Sequence, residues 1–339
     1  MKLTRGGCCR AGALLLFLPF APVLVAAPVS FQFSASSEMV VLHATVDNSK
    51  GIFVPGLSKD DFHVWEDGTL QKIEVFQSED VPVSVALVVD NSGSMRRKRA
   101  EVAAAARAFV QRSNPDDELF VVNFNDSIRV SLPPEKIPTL NASSLDTALS
   151  NANTGGKTAL YDAIWVALER LQKSTMNKKV LIAISDGGDN ASLHTLQQVV
   201  ERAERSNVVI YTIGLFDDYD TDKNPKVLKR LARETGGQTF LPQDLSNAVP
   251  ICKLIAADIR NQYTIGYVPS NAALDGTYRR IKVTARAPHH GALMVRTRAG
   301  YLASATQSPV AAKSEQKGHS EISQGVPFNS PASHASSSP

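Results

Sequence analysis

Cysteine is scarce in this sequence, and its positions exclude a fold held together by disulfides. Only 3 of the 339 residues are cysteine, and Cys8 and Cys9 lie within the first ten positions. A chain that lost this N-terminal stretch would keep one cysteine and would have to be stable without an internal disulfide. The remaining one, Cys252, stands at helical spacing among apolar residues in AVPICKLIAADI. This context favours a buried, inert thiol over a nucleophile.

A strong excess of one charge is also absent. The formal net charge is +3 and is spread along the chain, without a long basic stripe interleaved with aromatic residues. A nucleic-acid partner is therefore not expected. The sequence also lacks an H-E-x-x-H motif, a Cys–His or Ser–His pairing and a carboxylate cluster for a second metal. These absences argue against an enzyme, while the 43% of apolar residues allow a proper core.

The first 27 residues have the features of an export signal. Three basic residues precede the apolar run AGALLLFLPFAPVLVAA, and Val25 and Ala27 satisfy the small-residue rule before a cleavage site. The alternative is an uncleaved membrane anchor, which Pro19 and Pro22 disfavour because they interrupt so short a span. We predict cleavage after Ala27, no transmembrane helix afterwards, and an exported protein that is periplasmic, on the cell surface or secreted.

Between residues 81 and 262, apolar strands alternate with helices. VPVSVALVVD, DELFVVNFN and KKVLIAISD are aliphatic runs typical of strands that are buried on both faces. RKRAEVAAAARAFVQRS has a helical composition, and TALYDAIWVALERLQ places its apolar residues on one helical face. The alternation predicts an α/β fold with a doubly wound, mostly parallel sheet.

Two β-rich segments flank this α/β domain, at residues 28–80 and 263–303. Each contains runs typical of strands separated by turn sequences such as EDGT and LDGT, but each is short for a sandwich of its own. Because chain termini commonly lie close together, we predict that both segments pair and form one small flanking β domain. Residues 304–339 lack apolar periodicity and are predicted to be a disordered tail.

Oxygen-bearing side chains follow the predicted parallel strands at the points where these strands end. Asp90 ends one aliphatic strand, and Ser92 and Ser94 come next at alternate positions in DNSGS. Thr158 starts a helix after a glycine-rich loop, and Asp186 ends a second aliphatic strand. Ligands of open parallel sheets bind outside the carboxyl ends of the strands, so these side chains are expected to converge.

Two carboxylates and three hydroxyls, without histidine or cysteine, form a ligand set for a hard cation. Mg²⁺ is the expected ion, with Mn²⁺ or Ca²⁺ as alternatives. Since hydroxyls do not neutralise the ion, it would still attract an Asp or Glu side chain of a protein partner. An ordinary helix N-cap explains Asp90 alone, not all five positions. The GGKT stretch is not a phosphate loop, because Asn151 stands where that motif needs glycine.

At these residues the sequence resembles the von Willebrand factor type A family, whose metal-ion-dependent adhesion site has the pattern D-x-S-x-S followed by a separate threonine and a separate aspartate. DNSGS, GGKTALYDAI and SDGGD match this pattern in order, and the likeness covers residues 81 to about 262. It implies a Rossmann-like domain that binds a divalent cation. The flanks, including GLSKDDFHVWEDGTLQKIEVF and RAGYL, resemble an exported, acidobacterial-type subgroup of this family.

Together these features predict a bacterial, exported, metal-dependent protein-binding or adhesion module that is not an enzyme. An envelope assembly or scaffold protein is the alternative, and an Mg²⁺-dependent phosphoester hydrolase is a weaker one. The basic run Arg96, Arg97, Lys98 and Arg99 is either a solvated helix face or a rim that selects acidic partners. The sequence does not indicate the oligomeric state.

Overall fold

The computed structural model describes residues 39–78, 80–140, 142–150, 154–216, 222–288 and 290–303. The predicted signal peptide and the predicted C-terminal tail lie outside this part of the chain. The strands of the described part are β1 Val40–Asn48, β2 Phe62–Glu66, β3 Thr69–Gln71, β4 Ile73–Gln77, β5 Val83–Asp90, β6 Glu118–Phe124, β7 Ile128–Lys136, β8 Lys178–Ser185, β9 Val208–Gly214, β10 Thr239–Phe240, β11 Tyr263–Tyr267, β12 Tyr278–Ala285, β13 Leu293–Arg296 and β14 Gly300–Leu302. The α-helices are α1 Arg99–Val110, α2 Ala142–Ser150, α3 Leu160–Lys173, α4 Leu196–Ser206, α5 Pro225–Thr235 and α6 Ala248–Arg260.

A six-stranded sheet forms the centre of the α/β domain, with the strand order β10-β9-β8-β5-β6-β7. All pairs are parallel except β6 with β7, which is antiparallel. Every residue of β5 is buried, as expected for a central strand covered on both faces. The predicted fold class, a doubly wound and mostly parallel sheet, is confirmed.

Helices cover both faces of this sheet because side chains alternate along the strands. Val85 and Leu87 pack in one core with α1, α2 and α6, whereas Ala86 and Val88 pack in a second core with α3, α4 and α5. Helix α3 buries the apolar face that its spacing predicts. The buried residues of this helix are Leu160, Ala163, Ile164, Ala167, Leu168 and Leu171.

The two flanking segments form two four-stranded antiparallel sheets that share one hydrophobic core. One sheet has the order β13-β1-β11-β4 and the other β14-β12-β2-β3. N-terminal strands pair with C-terminal ones in both sheets, β1 with β11 and β2 with β12, which confirms the predicted pairing. Tyr263 lies at the centre of this core, where its hydroxyl donates to the carbonyl oxygen of Val54 (2.8 Å) and accepts from the amide of Leu57 (3.1 Å).

Strand β7 and helix α2 are elements that the sequence patterns did not indicate. The SLPPEK stretch of β7 carries two prolines, which normally exclude a central strand. The structure places β7 at the edge of the sheet, where prolines are tolerated. Helix α2 is short and rich in serine, and its buried apolar face consists of Leu145, Ala148 and Leu149.

Two further observations concern the thiol of Cys252 and the apolar character of the helices. Cys252 is buried in α6, which confirms the prediction of a core cysteine, and burial raises the pKa of its thiol to about 12. Within the described residues, none of the helices combines the length and the apolar composition that crossing a membrane requires.

Candidate metal centre

Asp90 ends β5 at the carboxyl edge of the central sheet, and only 1% of its surface is exposed. One carboxylate oxygen accepts from the backbone amide of Ser92 (2.8 Å), and the other accepts from the hydroxyl of Ser185 (2.6 Å). The first bond closes the tight turn after the strand. The second bond ties Asp90 to the end of the neighbouring strand β8, directly before Asp186.

The two serines of the DNSGS motif connect this turn to Asp186. The hydroxyl oxygens of Ser92 and Ser94 lie 3.2 Å apart, and the Ser94 hydroxyl donates to Asp186 Oδ2 at 2.5 Å. The amide of Gly188 donates to the other oxygen of Asp186 at 2.9 Å. Four of the five predicted ligands are therefore joined in one group by short hydrogen bonds, although 92 positions separate Ser94 from Asp186.

Thr158, the fifth predicted residue, is held by backbone hydrogen bonds to the loop that follows Asp186. It is buried two positions before α3, and its amide donates to the side-chain oxygen of Asn190 (2.9 Å). Its carbonyl oxygen accepts from the amides of Asn190 (2.9 Å) and Ala191 (3.1 Å). Among the described residues, the Thr158 hydroxyl forms no hydrogen bond with the other four side chains, so this residue is held against the Asp186 loop without bonding to the group directly.

Buried asparagines, which the sequence patterns did not single out, hold the loops in place. The amide of Asn91 donates to the carbonyl oxygen of Phe124 (2.7 Å), and its own carbonyl accepts from Gly155 (3.0 Å). The Asn91 side chain donates to Asn123 Oδ1 at 2.9 Å, and Asn123 in turn donates to the carbonyl oxygen of Ala148 (2.7 Å). An asparagine inside the aliphatic run of β6 was the one available signal for this network, because a buried amide requires partners.

The electrostatics of the site favour the binding of a positive charge. Burial raises the pKa of Asp90 to about 6, and the nearby carboxylate of Asp186 adds to the rise. Asp186 is also buried, and within the described part of the chain neither carboxylate forms an ion pair with an arginine, lysine or histidine. No group of three or more His, Cys, Asp or Glu side chains suited to a metal occurs among the described residues. Two buried carboxylates beside neutral hydroxyls fit a hard divalent cation.

The basic run after the motif does not form a continuous basic surface. Lys98 is fully buried and donates to the carbonyl oxygen of Leu215 at 2.8 Å. Arg99 is half-buried and donates to the carbonyl oxygens of Leu149 (3.1 Å) and Ser150 (2.7 Å). The hypothesis of a four-residue basic rim was therefore wrong for these two, and only Arg96 and Arg97 remain exposed.

Comparison with protein families gives one match. A family model described as von Willebrand factor type A domain matches residues 84–252, the range that contains all the predicted metal ligands. The three separated motifs of the sequence agree with this match, and so does the mostly parallel central sheet of the structure. A comparison with curated proteins gives no significant match.

Three solved structures are among those to which this chain is similar at low sequence identity. A von Willebrand factor type A protein from Catenulispora acidiphila is 14% identical, with 80% of this chain and 76% of that chain covered and a TM-score of 0.48. BatB, a conserved hypothetical protein from Bacteroides thetaiotaomicron, is 17% identical over 52% of this chain and 97% of that chain, with a TM-score of 0.42. The PilB minor pilin from Streptococcus sanguinis is 13% identical over 55% and 63%, with a TM-score of 0.43. These likenesses carry no information on what this chain binds.

Proposed function

We propose, on the premise that this chain carries a von Willebrand factor type A domain over residues 84–252, that it is an exported, metal-dependent protein-binding module. Domains of this family are generally interaction modules without catalytic activity. The more specific proposal is that a divalent cation, Mg²⁺ first and Mn²⁺ or Ca²⁺ as alternatives, captures an Asp or Glu side chain of a protein partner. The observation that supports it is the pair of buried carboxylates, Asp90 and Asp186, which are linked through Ser92 and Ser94 and form no ion pair with any described cationic side chain.

The residues proposed to hold the ion are Asp90, Ser92, Ser94, Thr158 and Asp186. The two carboxylates would supply charged oxygens and the three hydroxyls neutral ones, so most of the donors would not reduce the attraction of the ion for a further anion. The bound ion would supply an attraction for one more anionic oxygen. The chain contributes the positioning, because the hydrogen bonds of Ser185 and Gly188 fix both carboxylates before the ion arrives.

Two exposed arginines offer a means to select an acidic partner. Arg96 and Arg97 follow Ser94 after one intervening residue, the buried Met95, and both are exposed. Charges at the edge of an interface act mainly on the association rate. Replacement of both arginines by glutamine should slow the association with an acidic partner and weaken its salt dependence.

The proposed function is tested by capture of partners with and without the metal. The immobilised protein is incubated with an envelope extract of the source organism in Mg²⁺, in EDTA, and in EDTA followed by excess Mg²⁺. A partner bound through the ion should be released by EDTA and regained with Mg²⁺, and the Asp90→Ala variant should not retain it. Equal capture in all three conditions, or by the variant, would contradict the proposal.

Export and the assignment to the exported subgroup remain predictions from the sequence. A scaffold role in envelope assembly would use the same metal site, and the identity of the EDTA-sensitive partner decides between it and adhesion. No contact of the described residues favours the phosphoester hydrolase.

A further inference from the structure

A second candidate site lies between the α/β domain and the flanking β sheets. A cavity of about 610 Å³ is bounded by the C-terminal end of α5, by strands β12 and β13, and by residues 297–299. The other end of α5 touches the metal loop, where the amide of Asn224 donates to the carbonyl oxygen of Asp186 (2.9 Å). The Gly236 wall of the cavity and the metal loop therefore lie at opposite ends of α5, which is about 16 Å long.

The lining of the cavity is basic. Its charged residues are Lys229, Arg233, Lys282, Arg296 and Arg298, and no Asp or Glu lines it. Carboxylates outside the lining neutralise two of these five residues. Arg296 contacts Asp47 at 3.2 Å and Asp258 at 3.1 Å, and Arg233 contacts the neighbouring Glu234 at 2.6 Å.

Three of the five cations lack a salt bridge. Among the described residues, Lys229, Lys282 and Arg298 form no ion pair, while the Lys282 ammonium lies 6.0 Å from the centre of the Trp65 ring and the Arg298 guanidinium 5.5 Å from that of Tyr301. Lys229 and Lys282 are exposed at the mouth of the cavity. Arg298 is half-buried, and its Nη2 donates to the carbonyl oxygen of Val41 at 3.0 Å. A guanidinium withdrawn from water without a carboxylate partner is unusual, because charged groups are normally paired when they are buried.

Hydrogen-bond donors next to the cavity also lack acceptors. Nε of Arg298, Oγ1 of Thr297 and Nη1 of Arg296 are buried without a hydrogen-bond partner. Unsatisfied buried polar atoms are rare in folded proteins. The three atoms belong to consecutive residues of the cavity wall, although the atoms themselves are buried within that wall.

The packing of the cavity wall depends on glycine. Gly236 has a φ of +83°, and a Cβ atom there would lie 2.5 Å from the amide nitrogen of Arg298. The absence of this side chain lets the backbone of residues 297–298 pack against the end of α5. The negative end of the helix dipole, about half an elementary charge, also faces this wall, but three full positive charges outweigh it.

We propose that this cavity binds a small organic anion, whose phosphate or carboxylate group is held by Lys229, Lys282 and Arg298. Its volume falls in the range of small-molecule sites, about 300–1,000 Å³. The anion supplies the negative charge that the three unpaired cations of the lining lack. The site is independent of the metal centre, and nothing in it requires the divalent ion.

The experiment is a calorimetric titration of the purified protein in EDTA with inorganic phosphate and, separately, with succinate. The ionic strength is held constant with sodium chloride. One or both anions should bind saturably with one site per chain, and the anion that binds identifies the preferred oxygen group. The double variant Lys229→Gln and Lys282→Gln should bind at least about tenfold more weakly, the loss expected when charge-assisted hydrogen bonds are removed.

Two further variants keep the test decisive. Lys226→Gln removes an exposed lysine from the same helix outside the cavity, and its affinity should equal that of the unchanged protein. Arg298→Lys keeps the charge but loses the planar fork, and should weaken binding without loss of the fold. The proposal is overturned if neither anion binds, if Lys226→Gln weakens binding as much as the double variant, or if the double variant binds normally.

Discussion

Replacement of Asp186 by asparagine separates the charge of this side chain from its hydrogen bonds. In the structure, one carboxylate oxygen accepts from Gly188 and the other from the Ser94 hydroxyl. An asparagine keeps one oxygen for Gly188, and its amide group can donate to Ser94, which reverses that bond without breaking it. The metal-free variant should therefore fold and be about as stable as the unchanged protein, while its metal site has lost half of its negative charge.

The expected effect of the cation on stability follows from the thermodynamic linkage between metal binding and unfolding. A cation at 100 times its Kd raises the free energy of unfolding by about 2.7 kcal/mol. For a domain of this size the melting temperature would rise by about 5–10 °C. Changes to groups that merely support metal ligands lower metal affinity about 10- to 100-fold, so loss of a carboxylate ligand should lower it at least about 100-fold. At the same Mg²⁺ concentration the variant would then gain at most about 0.4 kcal/mol.

The assay is thermal unfolding in EDTA and at increasing concentrations of Mg²⁺, Mn²⁺ and Ca²⁺. Asp189→Asn is the matched control, since Asp189 lies three positions further along the same loop and bonds to Tyr161 and Ser192 instead. This control should keep the full response to the metal. The reasoning is refuted if Asp186→Asn responds as the unchanged protein does, or if none of the three ions stabilises the unchanged protein.

Two other predictions concern the scaffold. Gly237→Ala should destabilise the protein by about 1–3 kcal/mol, because the added Cβ would lie 2.1 Å from the carbonyl oxygen of Ile210. The measurement is chemical denaturation, with Gly93→Ala as the control, because a Cβ atom at Gly93 would meet nothing within 4 Å. Equal denaturation midpoints for the Gly237→Ala and Gly93→Ala variants would contradict the prediction. Burial, and secondly Glu234, raise the pKa of Glu204 to about 7 from 4.5. The folded state therefore keeps the Glu204 carboxyl protonated up to a higher pH than the unfolded state does, so the free energy of unfolding should fall as the pH rises from about 4.5 to 7. The Glu204→Gln variant should show a flatter dependence of stability on pH. Parallel curves of stability against pH for the two proteins would contradict this prediction.

Some features of the fold could be predicted because they depend on local patterns. The run VPVSVALVVD has no polar alternation, so it predicts a strand buried on both faces, and β5 is buried along its whole length. The α3 spacing likewise predicts the buried face of that helix. Strand β7 could not be predicted in this way, since its prolines exclude only a central position, and the position of a strand in a sheet is a tertiary property.

The residues of the candidate metal centre also divide into those that local patterns identify and those that only the tertiary structure identifies. Asp90 and Asp186 were identifiable because each ends an aliphatic run, and parallel strands bring such ends to one edge. The contribution of Ser185 was not, because its bond to Asp90 depends on the pairing of β8 with β5. Lys98 was assigned to the surface from its charged neighbours, whereas the folded chain buries it against the carbonyl oxygen of Leu215.

By itself, the sequence determined the buried parallel strands and the amphipathic helices, and which oxygen-bearing residues stand at their ends, since periodicity and strand termini are properties of consecutive residues. Only the tertiary structure decided which charges lose their partners. Arg298 reads as one more basic residue in RTRAG, and its lack of a carboxylate partner arises because α5, β12 and β13 meet around it. Charge compensation depends on distances between segments that are far apart in the chain, so no local pattern contains it.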